Sequence, residues 1–540
     1  MDINGEDVFK ARSYSSVAFA IENLSVQLSE TDPSSLASIK GIGASSAKKI
    51  TELLSTGKLE QLEKLMISTP PGVVEMLNIK GIGPKKICTI WKEMELENPG
   101  DLLYACKENR LKLFKGFGEK TQKTISENIE FYFKSKGNFL YAQTIIAAEQ
   151  FQKLLEKLFP GKRVFVTGDF ARQMELITQF EFIIEDNIEN AERVLSAEES
   201  FPLTEKNTER LMYKTAAGIN LIVYPITENI IEKLVETSSS AEFLQALKSG
   251  YHSDEPARDE NHYFSLRNLP HLPAFIREDA EILATNRDQS THLQPTEIKG
   301  LIHCHSDWSD GDNTIEELAN ACMERGMEYM AISDHSKSAF YAQGLKEDRI
   351  KAQHEYIDEL NDKLAPFKIF KSIESDILND GSLDYSDKIL STFDLVIASV
   401  HSNLKMTEGK AMSRMITAIE NPYTTILGHM TGRLLLSRPG YPLDFEKIID
   451  ECAAHDVVIE LNANPNRLDM DWRYIKYALK KNVLISVDPD AHSVKGIDDT
   501  RYGVFSAQKG QLPKEKNLSS FSIKAFEDFI ENRKKLKGIM

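Results

Sequence analysis

The stretch GLIHCHSDWSDG, residues 300–311, carries the most informative pattern in the chain. Apolar residues lead into His303 and His305, and Asp310 follows shortly after. Residues two apart in an extended strand point to the same side, so the two imidazoles are expected to face one pocket. A strand that ends in a His-x-His pair close to a carboxylate predicts a group of metal ligands.

The remaining C-terminal sequence repeats this design. Short apolar runs (YMAISDH, FKIFKSIES, LVIASVH, TTILGHM, VVIELN and VLISVDPDAH) alternate with helical segments such as NTIEELANACMERG. Strand–helix alternation predicts a parallel α/β barrel over residues 298–540. The strand-end imidazoles and carboxylates that join the first three are His335, Glu374, His401, His429, Asp490 and His492. Asp334, beside His335, accompanies them, and His455 lies in the same part of the chain but outside these short runs.

These nine groups are expected to meet, because the C-terminal ends of barrel strands share one mouth. A single histidine after a strand is as often an ordinary core or surface residue. Nine groups in one strand-end register indicate a site. Mixed imidazole and carboxylate ligands suit Mn or Zn, with Fe as a further candidate. The number exceeds what one ion needs, so two to three divalent ions are expected.

The motifs HCHSDWSDG, ISDHS, SIESD, ASVHS, LGHMTGR and DPDAH resemble, in order and spacing, those of the PHP (polymerase and histidinol phosphatase) domain. The resemblance implies a distorted (β/α)7-type barrel whose trinuclear centre, held by the nine residues, hydrolyses phosphate esters. Such ions activate water near neutral pH and neutralise the phosphoryl oxygens. We expect Asp310 and His335 to act in catalysis. Arg433, with Lys337 and Arg467, is expected to grip a phosphate, the alternative being a surface charge.

Three similar segments open the chain: SIKGIGASSAKKITELL (38–54), NIKGIGPKKICTIWKEM (78–94) and LFKGFGEKTQKTISENI (113–129). A Gly-x-Gly turn before a helix leaves backbone N–H groups available to a phosphate. One such turn is weak evidence. Three in register predict helix–hairpin–helix units that bind the sugar–phosphate backbone without recognising the base sequence. The expected DNA contacts are Gly41, Gly43, Lys48, Lys49, Gly81, Gly83, Lys85, Lys86, Gly116 and Gly118.

These repeats resemble those of family X DNA polymerases, and with the PHP half the whole chain resembles the bacterial and archaeal family X polymerase–exonuclease. The resemblance implies these domains: helix–hairpin–helix domains at 1–90 and 91–144 (the latter fingers-like), a palm at 145–225, a thumb-like domain at 226–285, a linker at 286–297 and the PHP domain at 298–540. In that family the lysine that attacks an abasic sugar falls on Lys49. Amine attack requires a depressed pKa, and we favour a phosphate contact for Lys49.

The palm of this family needs three carboxylates to hold two metal ions. Its opening motif is reduced here to GDFAR, which keeps Gly168 and Arg172. The Asp-x-Asp pair aligns with Gln179 and Glu181, and the third acid with Asn220. Neutral amides cannot neutralise two divalent ions, so we expect nucleotide addition to be absent or very weak. In the alternative alignment, Glu185, Asp186 or Glu181 would substitute for the missing acids.

Composition sets wider limits. The sequence contains no run of eighteen apolar residues, so we expect no membrane partner. Five scattered cysteines without a CxxC pair favour a reducing cytoplasm. The net charge is −17, yet residues 1–135 contain 18 Lys and Arg against 18 Asp and Glu. The overall charge therefore neither supports nor excludes binding to nucleic acid. A monomer, cytoplasmic and nucleoid-associated, is expected.

Three functions remain open from the sequence. The favoured one is a metal-dependent DNA phosphodiesterase in repair, a 3′-5′ exonuclease that also processes 3′ ends, gaps or abasic sites on a scaffold without polymerase activity. The second is a working repair polymerase with PHP proofreading. The third is a DNA-binding module whose barrel hydrolyses a small phosphate ester.

Overall fold

The computed structural model describes residues 1–6, 8–22, 28, 31–135, 137–198, 202–215, 218–284 and 292–539. The chain forms two compact units, Met1–Lys107 with Phe114–Tyr132 and Glu108–Leu113 with Phe133–Met540. Among the described helices, none has the length and apolar character needed to cross a bilayer.

The first unit is helical. Its helices, the last of which continues past the unit, are α1 (Val8–Glu22), α2 (Ala44–Thr56), α3 (Glu60–Ser68), α4 (Pro71–Glu75), α5 (Pro84–Lys92), α6 (Pro99–Lys107) and α7 (Glu119–Ser135). The three repeats share one turn geometry. The first glycine of each repeat is left-handed, with φ of +95° at Gly41, +84° at Gly81 and +92° at Gly116. Only glycine adopts such φ values without steric strain, which accounts for its presence at all three positions.

The palm region contains a five-stranded sheet in the order β2-β4-β7-β6-β5 and a two-stranded sheet of β1 and β3. The strands are β1 (Phe139–Leu140), β2 (Val164–Thr167), β3 (Leu176–Ile177), β4 (Gln179–Ile184), β5 (Leu203–Lys206), β6 (Leu211–Lys214) and β7 (Asn220–Pro225). Strands β4 and β7 run parallel, and the other neighbours are antiparallel. The helices of this region and of the thumb-like region are α8 (Tyr141–Leu158), α9 (Gly168–Ala171), α10 (Ile188–Leu195), α11 (Ile230–Thr237), α12 (Ala241–Gly250), α13 (Glu260–Ser265) and α14 (Glu281–Ala284).

Seven parallel strands follow in chain order and form a nearly closed barrel. They are β8 (Gly300–Leu301), β9 (Tyr329–Ile332), β10 (Lys368–Asp376), β11 (Leu395–Ser399), β12 (Ile426–Leu427), β13 (Val458–Asn462) and β14 (Ile485–Asp488). The helices here are α15 (Ile315–Glu324), α16 (Glu347–Leu364), α17 (Asp387–Leu390), α18 (Glu408–Glu420), α19 (Phe445–Ala454), α20 (Ile475–Lys480), α21 (Thr500–Lys509) and α22 (Ile523–Lys537). A bridge between Cys304 and Ala491 links the two ends of the sheet. The predicted fold class, helical hairpin repeats followed by a mixed palm and a seven-stranded α/β barrel, is confirmed.

The first barrel strand is much shorter than the run GLIHCHS suggests. Beyond β8, the His305 N–H still donates to Ala491 O in the bridge that closes the sheet, but the next N–H, of Ser306, donates to the Asp334 carboxylate at 2.8 Å. The chain leaves the ladder here because its imidazoles enter the mouth of the barrel.

The linker expected at 286–297 lies partly outside the described residues, which resume at residue 292. Its described end packs on the barrel: Leu293 is fully buried in the barrel core. The Gln508 side chain donates to Leu293 O at 2.8 Å.

Candidate metal centre

All nine predicted ligands lie at the C-terminal end of the barrel. Glu374 is in β10, and the others follow the ends of strands or lie in the loop after β8. Eight are buried, and the His401 side chain is only 10% exposed. The structure therefore brings together residues separated by up to 189 positions, from 303 to 492.

Glu374 lies at the centre of one half of the group. Its Oε1 is 2.9 Å from His429 Nε2, 3.1 Å from His401 Nε2 and 3.4 Å from His303 Nε2. One carboxylate thus faces three imidazole nitrogens, an arrangement in which a shared cation replaces direct contacts.

Two aspartates complete the other half. Asp490 Oδ1 is 3.0 Å from His305 Nε2. Asp310 places Oδ1 3.6 Å from His492 Nε2 and Oδ2 3.6 Å from His335 Nε2. Separations above 3.5 Å are too long for hydrogen bonds, but they are consistent with two ligands on opposite sides of one ion.

Three overlapping sets each place one ligand atom per residue within 4.8 Å of the others: His305, Asp310, His335 and His492; His303, His305 and Asp490; and His335, Glu374 and His401. His305 and His335 each belong to two sets, so the sets adjoin. Such a group of adjoining ligand sets is consistent with the binding of divalent metal ions.

Unpaired buried atoms show that the residues fit cations. In the described part of the chain, these atoms have no hydrogen-bond partner: His303 Nε2, His305 Nδ1, Asp310 Oδ2 and His492 Nε2. A buried polar atom left unpaired costs about 1–3 kcal/mol. Because these atoms belong to the same group of ligands, divalent ions would satisfy them together, and the donor set of imidazole and carboxylate suits such ions.

Electrostatics in the group are strongly coupled. Burial lowers the pKa of His401, but Glu374 and Asp376 outweigh it and raise that pKa to about 10. Burial likewise opposes protonation of His492, yet Asp310 contributes to a pKa raised to about 9. The ion-free histidines therefore hold protons that must leave when metal ions bind.

Two further carboxylates orient the ligands, and sequence reasoning missed both. Glu460, in β13, contacts His303 Nδ1 and accepts the His429 N–H at 2.6 Å. Asp376 lies 2.7 Å from His401 Nδ1. Such contacts fix the ring so that Nε2 faces the other ligands of the group. The available signal was a lone carboxylate in the buried run VVIELN, since unpaired acids are rarely fully buried.

The arginine expected to grip phosphate is engaged within the protein. Arg433 donates to the Asp471 carboxylate at 2.8 Å and to Arg467 O at 2.9 Å, so its guanidinium holds the 467–471 loop. Arg467 points closer to the ligands, with Nε 3.7 Å from Asp490 Oδ2. Lys337 is 3.9 Å from Glu347 and lies over a tyrosine ring.

The aligned palm positions are adjacent, and the Gln179 and Glu181 side chains are hydrogen-bonded to each other. Gln179 pairs in register with Asn220, and its amide donates to Glu181 Oε1 at 3.0 Å. The other Glu181 oxygen accepts the Tyr224 hydroxyl at 2.7 Å. Glu181 also lies across Gly168, where an added Cβ would sit 2.3 Å from its Oε1. The one retained acid is thus bonded internally.

Arg172, the retained arginine, is also committed. It donates to Glu278 at 3.1 Å, and Lys509 of the barrel bonds to the same carboxylate at 2.7 Å. Glu278 and Lys509 are buried. This three-residue ion network joins the palm to the barrel.

The alternative palm acids are engaged as well. Glu185 forms a two-pronged ion pair with Arg163, at 3.0 and 3.1 Å, which lowers its pKa. Asp186 accepts bonds from the backbone N–H of Asn187 and the Asn190 amide before α10.

The three helix–hairpin–helix turns share one pattern of burial and exposure. The residue between the glycines is buried in each turn (Ile42, Ile82 and Phe117). The flanking glycines Gly41, Gly43, Gly81, Gly83, Gly116 and Gly118 are exposed, as are Lys48 and Lys85, while Lys49 and Lys86 are half-buried. A Cβ at Gly43, Gly83 or Gly118 would meet nothing within 4 Å, so the backbone there is open to a phosphate.

Lys49 differs from its neighbours in its contacts. Its ammonium donates to the Gln61 side chain at 2.7 Å and lies 4.4 Å from the Tyr14 ring centre. The Tyr14 hydroxyl donates to the same Gln61 oxygen. Whether Lys49 attacks an abasic sugar or contacts phosphate stays a prediction.

Comparison with known proteins identifies the family. A helix–hairpin–helix domain model matches residues 1–59, a SAM-like helix–hairpin–helix tandem matches 73–129, and the PHP domain model matches 302–464. The chain is 30% identical to the DNA polymerase/3′-5′ exonuclease PolX of Bacillus subtilis (strain 168), over 98% of this chain and 97% of that protein. The chain belongs to the family X DNA polymerases with a C-terminal PHP domain. It is an enzyme of this PHP-bearing family.

The barrel half has relatives of its own. A probable phosphatase of Caldanaerobacter subterraneus subsp. tengcongensis is 25% identical over 42% of this chain and 88% of its own length. A probable phosphatase of Syntrophotalea carbinolica is 31% identical over 30% of this chain and 64% of its own length. The barrel of this family X member is therefore a module that also occurs in proteins of about barrel length.

Proposed function

We propose that the protein is a metal-dependent 3′-5′ exonuclease acting in DNA repair, and that its palm no longer adds nucleotides. The observation that carries the proposal is the contrast between two sites in one unit. The barrel brings nine ligand groups together around unpaired buried atoms, whereas the palm positions are occupied by amides and an internally bonded glutamate.

The ligand residues define what the barrel can do. His303, His305, Asp310, His335, Glu374, His401, His429, Asp490 and His492 would hold two to three ions, with Mn or Zn as the proposed occupants. When bound, such ions supply Lewis-acid stabilisation of a phosphodiester and a nucleophilic water near neutral pH. Both would assist phosphodiester hydrolysis.

Protein groups set the geometry of that chemistry. Glu460 and Asp376 hold the Nδ1 sides of His303 and His401, which leaves each Nε2 directed into the group. Arg467, buried beside Asp490, is placed to stabilise an anionic substrate. We assign Arg433 to positioning of this loop through Asp471. Asp310 and His335, both buried in the ligand group, are proposed to serve both as ligands and in proton transfer.

Two features of the palm argue against nucleotide addition: it carries too little negative charge, and its remaining side chains are already bonded within the protein. Two divalent ions bring four positive charges, and Glu181 with two amides offers one negative charge. Rearranging Glu181 would also break its bonds to Gln179 and Tyr224. The Arg172 guanidinium, which would otherwise face a triphosphate, is held by Glu278.

The hairpin turns are proposed to hold DNA by its backbone. Open glycine N–H groups at the starts of α2, α5 and α7, with nearby lysines, suit phosphates regardless of sequence. Ends, gaps and abasic sites of DNA are the proposed substrates. We further propose that the protein works as a monomer in the cytoplasm, close to the nucleoid.

A labelled primer–template incubated with Mn²⁺ and all four dNTPs tests this function. We expect the primer to shorten, His303→Ala and Asp490→Ala to abolish shortening, and Glu181→Ala to leave it unchanged. Primer extension by the wild-type protein that Glu181→Ala removes would establish an active palm instead. A primer left intact while p-nitrophenyl phosphate is hydrolysed would favour a small-molecule phosphatase.

A further inference from the structure

An open cleft lies on the barrel beside the loop that follows β8. Its volume is about 470 Å³, and it is lined by Asp307, Trp308, Thr314, Arg349 and Tyr356. Thr314 caps α15, and Arg349 and Tyr356 lie on α16. The cleft therefore lies between two barrel helices, and the metal ligands do not line it.

The side chains in the cleft form an aromatic platform. The rings of Trp308 and Tyr356 are inclined by only 28°, with centres 6.4 Å apart. The Arg349 guanidinium lies 5.8 Å from the Trp308 ring centre. Both rings are half-buried, so each has a fixed inner part and an accessible face.

The platform is held firmly. Arg349 donates to Gln343 O at 2.8 Å and also to Trp308 O. The backbone N–H of Trp308 donates to the Ser306 hydroxyl, and that hydroxyl donates to the buried Asp334 carboxylate at 2.6 Å. A rigid platform loses little conformational entropy when it binds a ligand.

The same loop carries metal ligands. Trp308 lies three residues after His305 and two before Asp310, and two residues of chain span at most about 7 Å. The cleft is thus within one nucleotide's reach of the proposed reaction site.

Charge decides what kind of group the cleft accepts. The exposed Asp307 carboxylate lies at the cleft, and Glu316 and Glu317 follow Thr314 at the start of α15. These acids repel phosphate. Flat aromatic rings with a guanidinium nearby instead bind nucleobases by stacking, with little dependence on sequence.

We propose that the Trp308–Tyr356 cleft binds a nucleobase of the DNA strand, adjacent to the nucleotide whose phosphodiester lies at the metal centre. This assignment rests on the proposed exonuclease function for its biological meaning. It gives the barrel a grip on single-stranded DNA that is separate from the metal ligands.

Two substrates separate this role from the chemistry. A single-stranded oligonucleotide offers a neighbouring base, whereas methyl p-nitrophenyl phosphate is a diester without one. Trp308→Leu and Tyr356→Leu should lower kcat/KM on the oligonucleotide by about tenfold to a hundredfold, mainly through KM, and change diester hydrolysis less than twofold. Trp308→Phe should restore most of the loss. Tyr423→Leu, a half-buried aromatic before β12, is the matched control and should change neither substrate.

An equilibrium measurement keeps the test independent of hydrolysis. In EDTA, the oligonucleotide should quench tryptophan fluorescence of the wild-type protein, and Trp308→Phe should remove most of that quenching. Unchanged quenching in Trp308→Phe, or equal losses on both substrates, overturns the cleft assignment. If the wild-type protein cleaves neither substrate but quenching depends on Trp308, the exonuclease proposal fails and the base-binding cleft stands.

Discussion

Glu460 offers the sharpest test of how the barrel holds its ligands. Its fully buried carboxylate contacts His303 Nδ1, accepts the His429 N–H at 2.6 Å and lies 3.3 Å from the Asn462 amide. Each of these three groups is a hydrogen-bond donor to the carboxylate. In Glu460→Gln, the shape is retained, but one end of the amide becomes a donor facing His303 or His429.

The expected size of the effect follows from these contacts. A buried donor left without an acceptor costs about 1–3 kcal/mol. His303 also loses a negative neighbour that, with Asp490 and Glu374, raises its pKa against the opposing effect of burial, so its ring becomes less basic. Loss of such an orienting carboxylate weakens metal binding by about 10- to 100-fold. We therefore expect Glu460→Gln to weaken Mn²⁺ binding by that factor while the fold persists.

Isothermal titration of the metal-free protein with Mn²⁺ measures this change, and exonuclease rates at increasing Mn²⁺ should recover toward the wild-type value. Glu420→Gln, at the exposed end of α18, is the matched control and should bind like the wild type. A dissociation constant within twofold of the wild type in Glu460→Gln, with normal unfolding, would refute the orienting role.

Three further predictions concern other parts of the molecule. Because the pKa values of His401 and His492 are raised to about 10 and 9, both side chains hold protons at pH 7, so Mn²⁺ binding should release protons and tighten as the pH rises from 6 to 8. A binding enthalpy that does not depend on the ionisation enthalpy of the buffer would contradict this release of protons. Glu278→Ala leaves the Arg172 and Lys509 charges without their carboxylate and should lower the free energy of unfolding by about 3–5 kcal/mol, whereas Glu281→Ala, at an exposed position, should change it little. Equal denaturation midpoints for the two variants would argue against the network. Gly81→Ala, at φ +84°, should destabilise the first unit by about 1–2 kcal/mol, while Gly83→Ala, with open space around its Cβ, should fold normally and bind DNA less tightly. A Gly83→Ala variant that melts at a lower temperature than Gly81→Ala and binds DNA more tightly would be inconsistent with the turn geometry.

The ligand set was predictable because its chemistry is local. Histidines and acids that follow apolar runs, such as His335 after YMAISD, mark strand ends directly in the sequence. Parallel strands then bring those ends together. Strand–helix alternation predicted the parallel barrel, although β8 proved to be two residues long because its continuation serves the site.

Other features depend on pairings that no local pattern encodes. Glu460 lies inside a strand and looks like an ordinary residue until its contact with His303, 157 positions away, is known. The same holds for the network of Arg172, Glu278 and Lys509, whose members come from three segments. The substitutions at Gln179 and Asn220 were visible in the sequence, but the bond from Tyr224 that holds Glu181 was not.

The central claim is that metal ions belong to the barrel and not to the palm. Crystals grown with Mn²⁺ and a non-hydrolysable DNA end, measured at the manganese absorption edge, test it most directly through the positions of anomalous peaks. We predict two or three peaks among His303, Asp310, Glu374 and their neighbours, and none beside Glu181. A pair of peaks between Gln179 and Asn220, or an empty barrel mouth at saturating Mn²⁺, would contradict the account.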